Sequence, residues 1–179
     1  MIDLKKIDRS WSLFLDRDGV INRRRVDDYV KTWDEFEFLP DVQNALKVFS
    51  DIFGKIIVIT NQQGVGKGLM TEKELQFIHQ KMVEEISKAG GRIDAVYYCT
   101  DLKTQPENCR KPSVKLYEQA VKDFPDIKTD KSIMIGDSES DMEFGKNAGM
   151  FTVFVGDDHR FADFHVKSLW EFARLLNPK

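Results

Sequence analysis

The sequence predicts an α/β fold, a three-layer doubly wound parallel sheet, in one domain of 179 residues. Short apolar runs rich in β-branched residues alternate along the chain with stretches of helical periodicity. Strands that alternate with helices favour a parallel sheet with helices on both faces. Because the length suits one core and leaves little room for a second, we expect a single domain, 1–179, without a separate cap domain.

The strands are assigned to the apolar runs. The run at residues 55–60, Lys-Ile-Ile-Val-Ile-Thr, is typical of a parallel strand that is covered on both faces. The five predicted strands are residues 12–15, 55–60, 93–99, 132–135 and 151–155.

Helices are predicted where apolar residues recur on one face. Thr71 and Glu74 have the spacing of a capping box, and Gly149 suits the C-terminal cap of a helix. The five predicted helices cover residues 42–53, 71–86, 114–124, 139–148 and 169–176.

Composition narrows the class of protein. The net charge is −3, which disfavours a nucleic-acid partner. Two cysteines, Cys99 and Cys109, are too few for a disulfide-stapled secreted fold. No apolar run approaches the roughly 20 residues that cross a bilayer, and the N-terminus lacks a signal-peptide core. We therefore expect a cytoplasmic monomer that binds a small molecule and neither a membrane nor nucleic acid.

Polar residues follow the predicted strands, at the edge where parallel sheets bind ligands. Asp16 and Asp18 come directly after the first strand, where two carboxylates are costly unless a cation pairs with them. The residues at the ends of the first, second and fourth strands and in the loop after the third are Asp16, Asp18, Thr60, Asn61, Arg110, Lys111 and Asp137.

This combination of residue types suits a phosphoryl group bound beside a magnesium ion. Hydrolysis of phosphate monoesters is very slow without a catalyst, and its catalysis must stabilise much negative charge. A carboxylate that attacks a phosphate dianion is repelled, and Mg²⁺ with one lysine would offset that repulsion. Magnesium prefers oxygen ligands, which the aspartates supply.

Four segments together resemble a known family. Residues 16–22 (Asp-Arg-Asp-Gly-Val-Ile-Asn), 58–62, 110–112 (Arg-Lys-Pro) and 136–137 look like the four ordered motifs of the haloacid dehalogenase-like superfamily. The similarity covers nearly the whole chain. It is greatest to the branch that contains the heptose bisphosphate phosphatases and the histidinol-phosphatase domain.

The resemblance implies a magnesium-dependent phosphatase and assigns roles by position. Asp16 would attack phosphorus and form an aspartyl phosphate. Asp18 would transfer protons, and its backbone carbonyl would reach Mg²⁺ together with Asp16 and Asp137. The phosphate- and substrate-binding residues would be Thr60, Asn61, Lys111 and Arg110.

The loop before Arg-Lys-Pro departs from the family. In the resembled branch this loop binds a structural zinc through Cys-x-His and Cys-x-Cys. Here Cys99 and Cys109 keep the first and last positions, while Asp101 replaces the histidine and Glu107 replaces the third cysteine. Structural zinc sites favour sulfur and nitrogen. We therefore expect no structural zinc, but a loop held by its own hydrogen bonds with two reduced thiols.

Three weaker signals carry further expectations. The run Arg23, Arg24 and Arg25 follows the first motif and is a candidate clamp for a second phosphate of the substrate. Residues 64–68 are rich in glycine but fail the P-loop pattern, and are predicted to form a mobile loop. His79 is predicted to be exposed on the polar side of its helix.

The substrate is left between alternatives. Residues 28–30 and 36–40 look like the heptose bisphosphate branch, whereas the short loop before Arg-Lys-Pro looks like the histidinol-phosphate branch. We predict a sugar phosphate such as a heptose 1,7-bisphosphate, with histidinol phosphate as the alternative. A receiver-like signalling domain would also combine acids, a threonine and a lysine on such a sheet, but it would not turn over a metabolite. A nucleic-acid 3′-phosphatase is disfavoured by the acidic balance.

Overall fold

A computed structural model describes residues 2–157 and 160–177, which are organised around one parallel sheet. The strands are Ser12–Leu15 (β1), Lys55–Asn61 (β2), Ala95–Cys99 (β3), Ser132–Gly136 (β4), Phe151–Val155 (β5) and Phe164–Val166 (β6). Their order across the sheet is β3-β2-β1-β4-β5-β6, and every neighbouring pair is parallel. The predicted fold class is confirmed.

Helices connect the strands. They are Val42–Ile52 (α1), Gln63–Gly66 (α2), Glu72–Lys88 (α3), Lys115–Asp123 (α4), Glu139–Ala148 (α5) and Leu169–Leu176 (α6). In the described ranges no helix is both long and apolar enough to cross a bilayer. The five predicted helices are confirmed, but the loop predicted at 64–68 begins with the single helical turn α2. One turn is too short to show a helical period in the sequence. Strand β6 was not predicted either, because three residues are too few to show the alternation of a strand.

Two predicted helix ends are confirmed in detail. The side chain of Thr71 accepts a hydrogen bond from the backbone N–H of Glu74, whose side chain accepts from the N–H of Thr71. This capping box starts α3. Gly149 ends α5 with φ at 80°, the left-handed conformation that favours glycine.

Alternation along the strands divides the core into two layers. Leu13 and Leu15 of β1 pack on one face of the sheet with α1, α3 and α6. Phe14 packs on the opposite face with α4 and α5. Because successive strand residues point to opposite faces, both faces of β1 are buried. Strand β1, in the interior of the sheet, is therefore held by packing on both faces, and this packing fixes the position of its carboxyl end.

Two basic side chains lie inside this core. Arg17 is fully buried, and His79 of α3 is only 5% exposed. The prediction that His79 is exposed is wrong, because α3 turns this face towards Arg17, whose Nη1 lies 3.0 Å from His79 Nε2. Burial, and then the nearby charge of Arg17, lower the pKa of His79 to about 3. His79 is therefore neutral in the folded protein at neutral pH.

The buried neutral imidazole predicts a pH dependence of stability. The unfolded chain protonates His79 near its ordinary pKa of 6.5, while the folded protein resists protonation down to about 3. Stability is therefore complete above pH 6.5 and is lost as the pH falls. We expect the free energy of unfolding of the wild type to fall by about 2 kcal/mol more than that of His79→Gln between pH 7 and pH 5. Urea denaturation at the two pH values measures this, and equal losses would contradict the burial of His79.

Candidate active site

A polar cavity opens at the carboxyl edge of the sheet. Its volume is about 520 Å³. Strands β1, β2 and β4 are in register, with Leu15 opposite both Val58 and Ile135, so their ends meet at this edge. The residues predicted from three strand ends and one loop are thereby brought together. Residues that line the cavity include Asp16, Asp18, Asn61, Arg110, Lys111 and Asp141.

The buried ammonium group of Lys111 joins two carboxylates. Lys111 Nζ lies 2.7 Å from Asp16 Oδ1, 2.7 Å from Asp141 Oδ1 and 2.8 Å from the carbonyl oxygen of Ile59. Lys111, Asp16 and Asp141 are all buried. The ammonium group donates hydrogen bonds to Asp16 Oδ1 and to the Ile59 carbonyl oxygen, and its contact with Asp141 is an ion pair. Asp141, four residues after Asp137, was not among the site residues predicted from the sequence.

Burial and mutual repulsion perturb the acids. Burial, and then the charge of Asp141, raise the pKa of Asp16 to about 8, although Lys111 opposes the shift. Burial, with Asp141, also raises the pKa of Asp137 to about 6, against the effect of Arg24. Burial alone would lower the pKa of Lys111, but Asp141 and Asp16 outweigh it and raise that pKa. One lysine thus faces three acids, and the cluster favours a further cation.

The oxygen atoms at this position suit a divalent metal ion. Carboxylate oxygens of Asp16, Asp137 and Asp141 lie within 4.8 Å of one another. Arg24 Nη2 lies 2.9 Å from Asp137 Oδ1 and 3.5 Å from the carbonyl oxygen of Asp18, so both oxygens already face a cationic group. An all-oxygen set of this kind fits Mg²⁺.

Gly19 makes room for Asp137. Its φ is +89°, and a Cβ atom on it would come within 1.9 Å of Asp137 Oδ2. Any other residue would therefore both strain the backbone and push the carboxylate of Asp137 away.

Three donors fix the carboxylate of Asp18. Oδ1 accepts from Arg17 Nη2 at 2.9 Å and from Asn22 Nδ2 at 2.9 Å, and Oδ2 accepts from Gln62 Nε2 at 2.8 Å. Burial alone would raise the pKa of Asp18, but the charge of Arg17 and these hydrogen bonds lower it. The motifs at 16–22 and 58–62 contain all three donors, yet spacing alone assigned them no partner.

Asn61, at the end of β2, forms two hydrogen bonds with the main chain of Lys111. Asn61 Oδ1 accepts from the backbone N–H of Lys111 at 2.9 Å, and Asn61 Nδ2 donates to the Lys111 carbonyl oxygen at 3.3 Å. Thr60 is buried, and its Oγ1 accepts from Gln62 Nε2 at 2.9 Å. Asn61 therefore anchors the main chain of Lys111, a contact that sequence reasoning did not foresee. The phosphate contacts of Thr60 and Asn61 stay predictions.

The three arginines at residues 23–25 do not all lie at the cavity. Arg24 and Arg25 line the cavity, and Arg25 Nε lies 3.3 Å from Asp28 Oδ2. Arg23 does not line it, and its Nε lies 3.1 Å from Glu37 Oε2 on the surface. The proposed clamp of three arginines is therefore reduced at this cavity to Arg24 and Arg25, because Arg23 pairs with Glu37 instead.

Two further cationic side chains, those of Lys67 and Arg110, line the same cavity and form a second cationic group there. Lys67 Nζ lies over the ring of Tyr29, 5.2 Å from its centroid, and Tyr29 Oη accepts a hydrogen bond from Gln63 Nε2 at 2.9 Å. Arg110 also lines the cavity, and its pKa is lowered by burial and raised in part by Tyr29. The sequence analysis gave Lys67 no role, because it treated this segment only as a glycine-rich loop, and it used Tyr29 only within the family resemblance at residues 28–30.

The loop before Arg110 is closed by a disulfide between Cys99 and Cys109. The expectation of two reduced thiols is wrong in the structure, because the two Cα atoms are 5.6 Å apart, a separation that disulfides span. The expected internal hydrogen bonds are confirmed, since the N–H of Cys109 donates to Asp101 Oδ2 at 3.0 Å. Cys99, Asp101 and Cys109 cluster, but Glu107 does not join them among the described residues.

Comparison with known proteins agrees with this geometry. A family model described as HAD-hydrolase-like matches residues 108–164. The chain is 41% identical over 170 residues to D-glycero-alpha-D-manno-heptose-1,7-bisphosphate 7-phosphatase of Mycobacterium bovis, covering 91% of this chain and 90% of that protein. It is 38% identical over 138 residues to D-glycero-beta-D-manno-heptose-1,7-bisphosphate 7-phosphatase of Helicobacter pylori, covering 76% and 78%.

A solved structure shares the fold. The crystal structure of D,D-heptose 1.7-bisphosphate phosphatase from B. bronchiseptica, complexed with magnesium and phosphate, superposes with a TM-score of 0.83 at 27% identity. The similarity covers 93% of this chain and 97% of that one.

Proposed function

The chain belongs to the haloacid dehalogenase-like hydrolases, in the group of the heptose bisphosphate phosphatases, and from this premise we propose that it is a magnesium-dependent phosphatase of a heptose 1,7-bisphosphate. One observation supports the proposal most strongly. Lys111 binds both Asp16 and Asp141 at 2.7 Å, inside a cavity open to a ligand. A buried lysine beside a carboxylate suits an anionic nucleophile that must approach an anionic ester.

The first step forms a covalent intermediate. An oxygen of Asp16 attacks phosphorus, and the bond between phosphorus and the sugar oxygen breaks. The electron pair of that bond stays on the sugar oxygen, which takes a proton from the carboxyl group of Asp18. Lys111 offsets the repulsion between the Asp16 carboxylate and the phosphoryl oxygens. The product of the step is an aspartyl phosphate on Asp16 and a free sugar hydroxyl.

The second step restores the enzyme. Asp18, now ionised, takes a proton from a water molecule as the water oxygen attacks phosphorus. The bond between phosphorus and Asp16 breaks, and inorganic phosphate leaves. The three hydrogen bonds to the Asp18 carboxylate hold it in place, so the same group is positioned for both proton transfers.

Magnesium would be held by side-chain oxygens of Asp16 and Asp137 and by the backbone carbonyl of Asp18. When bound, it supplies positive charge that stabilises the phosphoryl oxygens in the transition state. Arg24, which contacts Asp137 Oδ1 and lines the cavity, would be displaced from that oxygen by the ion.

The second cationic group favours a substrate with two phosphates. Lys67 and Arg110 line the same cavity as the Asp16–Lys111 pair, beside Tyr29. A guanidinium group with an ammonium group suits a phosphate that binds without reacting. Arg24 and Arg25 would contribute to the same binding, and Arg23 would act only if it left Glu37. The relatives carry both anomeric names, so the anomer is left to experiment.

We further propose that the protein acts as a cytoplasmic monomer with no membrane or nucleic-acid partner. The net charge of −3 supports the absence of a polyanionic partner. Size-exclusion chromatography with light scattering tests the monomer directly.

A phosphate-release screen with Mg²⁺ tests the proposed function. The panel contains both anomers of the heptose bisphosphate, histidinol phosphate, hexose phosphates, p-nitrophenyl phosphate and a DNA strand with a 3′-phosphate. We expect one heptose anomer to give the highest kcat/KM, and Asp16→Asn to lose at least about 1,000-fold in turnover because the nucleophile is gone.

The control for that screen is Asp126→Asn, an exposed acid between α4 and β4 that does not line the cavity, which should keep wild-type turnover. Normal turnover by Asp16→Asn would mean that another group is the nucleophile. Preference for histidinol phosphate would overturn the substrate, and failure to hydrolyse p-nitrophenyl phosphate would favour a receiver-like domain.

We also propose that the loop from Cys99 to Cys109 holds no structural zinc. Both sulfur atoms are joined to each other, and the remaining family positions carry the carboxylates of Asp101 and Glu107. Metal analysis of protein purified under reducing conditions should find well under one zinc per chain. One tightly held zinc per chain would contradict this proposal and show that the sulfur atoms serve as ligands.

A further inference from the structure

Arg17, between the two aspartates of the first motif, has a fully buried side chain. Its guanidinium group bridges two elements. Nη1 lies 3.0 Å from His79 Nε2 on α3, and Nη2 donates to Asp18 Oδ1 at 2.9 Å. The ring of Phe36 lies 5.9 Å from the guanidinium carbon. One charged group thus links a helix outside the cavity to a carboxylate that lines it.

The direction of the Arg17–His79 hydrogen bond fixes the state of the imidazole. A guanidinium group has only donors, so His79 Nε2 must accept and its proton must lie on Nδ1. Burial lowers the pKa of His79 to about 3, which agrees with this neutral tautomer. His79 is therefore present as an acceptor rather than as a charge.

Stability alone does not account for the pair. A buried charge pays for its desolvation, and apolar residues of similar volume are often as stable or more so. Among the described residues, Arg17 Nε and His79 Nδ1 are buried and have no hydrogen-bond partner. Unsatisfied buried polar atoms add to the cost. What the pair does supply is a fixed direction for Arg17 Nη2, which ends on Asp18.

We propose that His79 is a positioning residue for proton transfer by Asp18. Its Nε2 atom holds the guanidinium group of Arg17, and Arg17 in turn fixes the orientation of the Asp18 carboxyl group. Asn22 and Gln62, the other donors to the Asp18 carboxylate, are neutral, so Arg17 is the one charged side chain that donates to this carboxylate among the described residues. This inference rests on the proposed function, since it assigns Asp18 the proton transfer to the leaving oxygen.

Two amide substitutions separate the hydrogen bond from a general effect of polarity. In His79→Gln the side-chain oxygen reaches the place of Nε2 and can accept from Arg17. In His79→Asn the amide is one methylene shorter and does not reach. His79→Leu removes the acceptor altogether, and Gln80→Leu, at an exposed neighbouring position of α3, is the control for substitution of this helix.

The readout is kcat/KM with Mg²⁺ on two substrates of different leaving group. An alkyl phosphate, the best sugar phosphate of the screen, needs a proton on its departing oxygen, whereas p-nitrophenol leaves without one. We expect His79→Asn and His79→Leu to lose about tenfold in kcat/KM on the alkyl phosphate and less than about twofold on p-nitrophenyl phosphate. His79→Gln and Gln80→Leu should stay within about twofold of wild type on both.

The ratio of the two kcat/KM values is taken on one preparation, so partial misfolding cancels. Equal losses on both substrates, no loss in His79→Asn, or a loss in His79→Gln as large as in His79→Asn would overturn the positioning role. These outcomes differ from failure of the proposed function, in which the wild type hydrolyses neither substrate or Asp16→Asn remains active.

Discussion

The structure depends on how a buried group of acids is neutralised. Asp16 and Asp141 lie within the reach of one ammonium group, that of Lys111, and Asp137 adds a third carboxylate nearby. Three acids with one buried cation leave excess negative charge in a region of low dielectric. The raised pKa values of Asp16, about 8, and Asp137, about 6, express that cost. A divalent ion would remove it, and the same positive charge would then meet the phosphoryl group.

The sheet makes this concentration of charge tolerable. Strands β1, β2 and β4 are parallel and adjacent, so their carboxyl ends deliver polar residues to one edge while both faces stay apolar. The lysine comes from a loop rather than a strand, and Asn61 holds its main chain through two hydrogen bonds. Arg17 lies within the core, where one of its N–H groups contacts His79 on α3 and another donates to the Asp18 carboxylate. Residues of the core and of the loops are therefore hydrogen-bonded directly to the residues of the site.

Much of the fold could be predicted because its signals are local. The apolar runs of β1 and β5 and the helix α6 have the bounds that the sequence predicted, and the capping box at Thr71 is an i,i+3 pattern. The short elements β6 and α2 escaped because neither is long enough to show a period. In the site, the sequence motifs predicted Asp16, Lys111 and Asp137 as neighbours, and the structure brings these three together. Partners in space, such as Asp141 to Lys111 and His79 to Arg17, were not, because no spacing along the chain encodes a contact between distant elements.

The demand of the acids for a cation is tested most directly by thermal unfolding with and without Mg²⁺, on wild type, Asp137→Asn and the surface control Asp126→Asn. Binding to the folded state alone raises the unfolding midpoint by mass action. We predict that saturating Mg²⁺ raises the midpoints of the wild type and Asp126→Asn by the same amount and leaves Asp137→Asn nearly unchanged. Without metal, Asp137→Asn should be at least as stable as the wild type. Equal stabilisation of Asp137→Asn by Mg²⁺, or its lower stability without metal, would contradict the account.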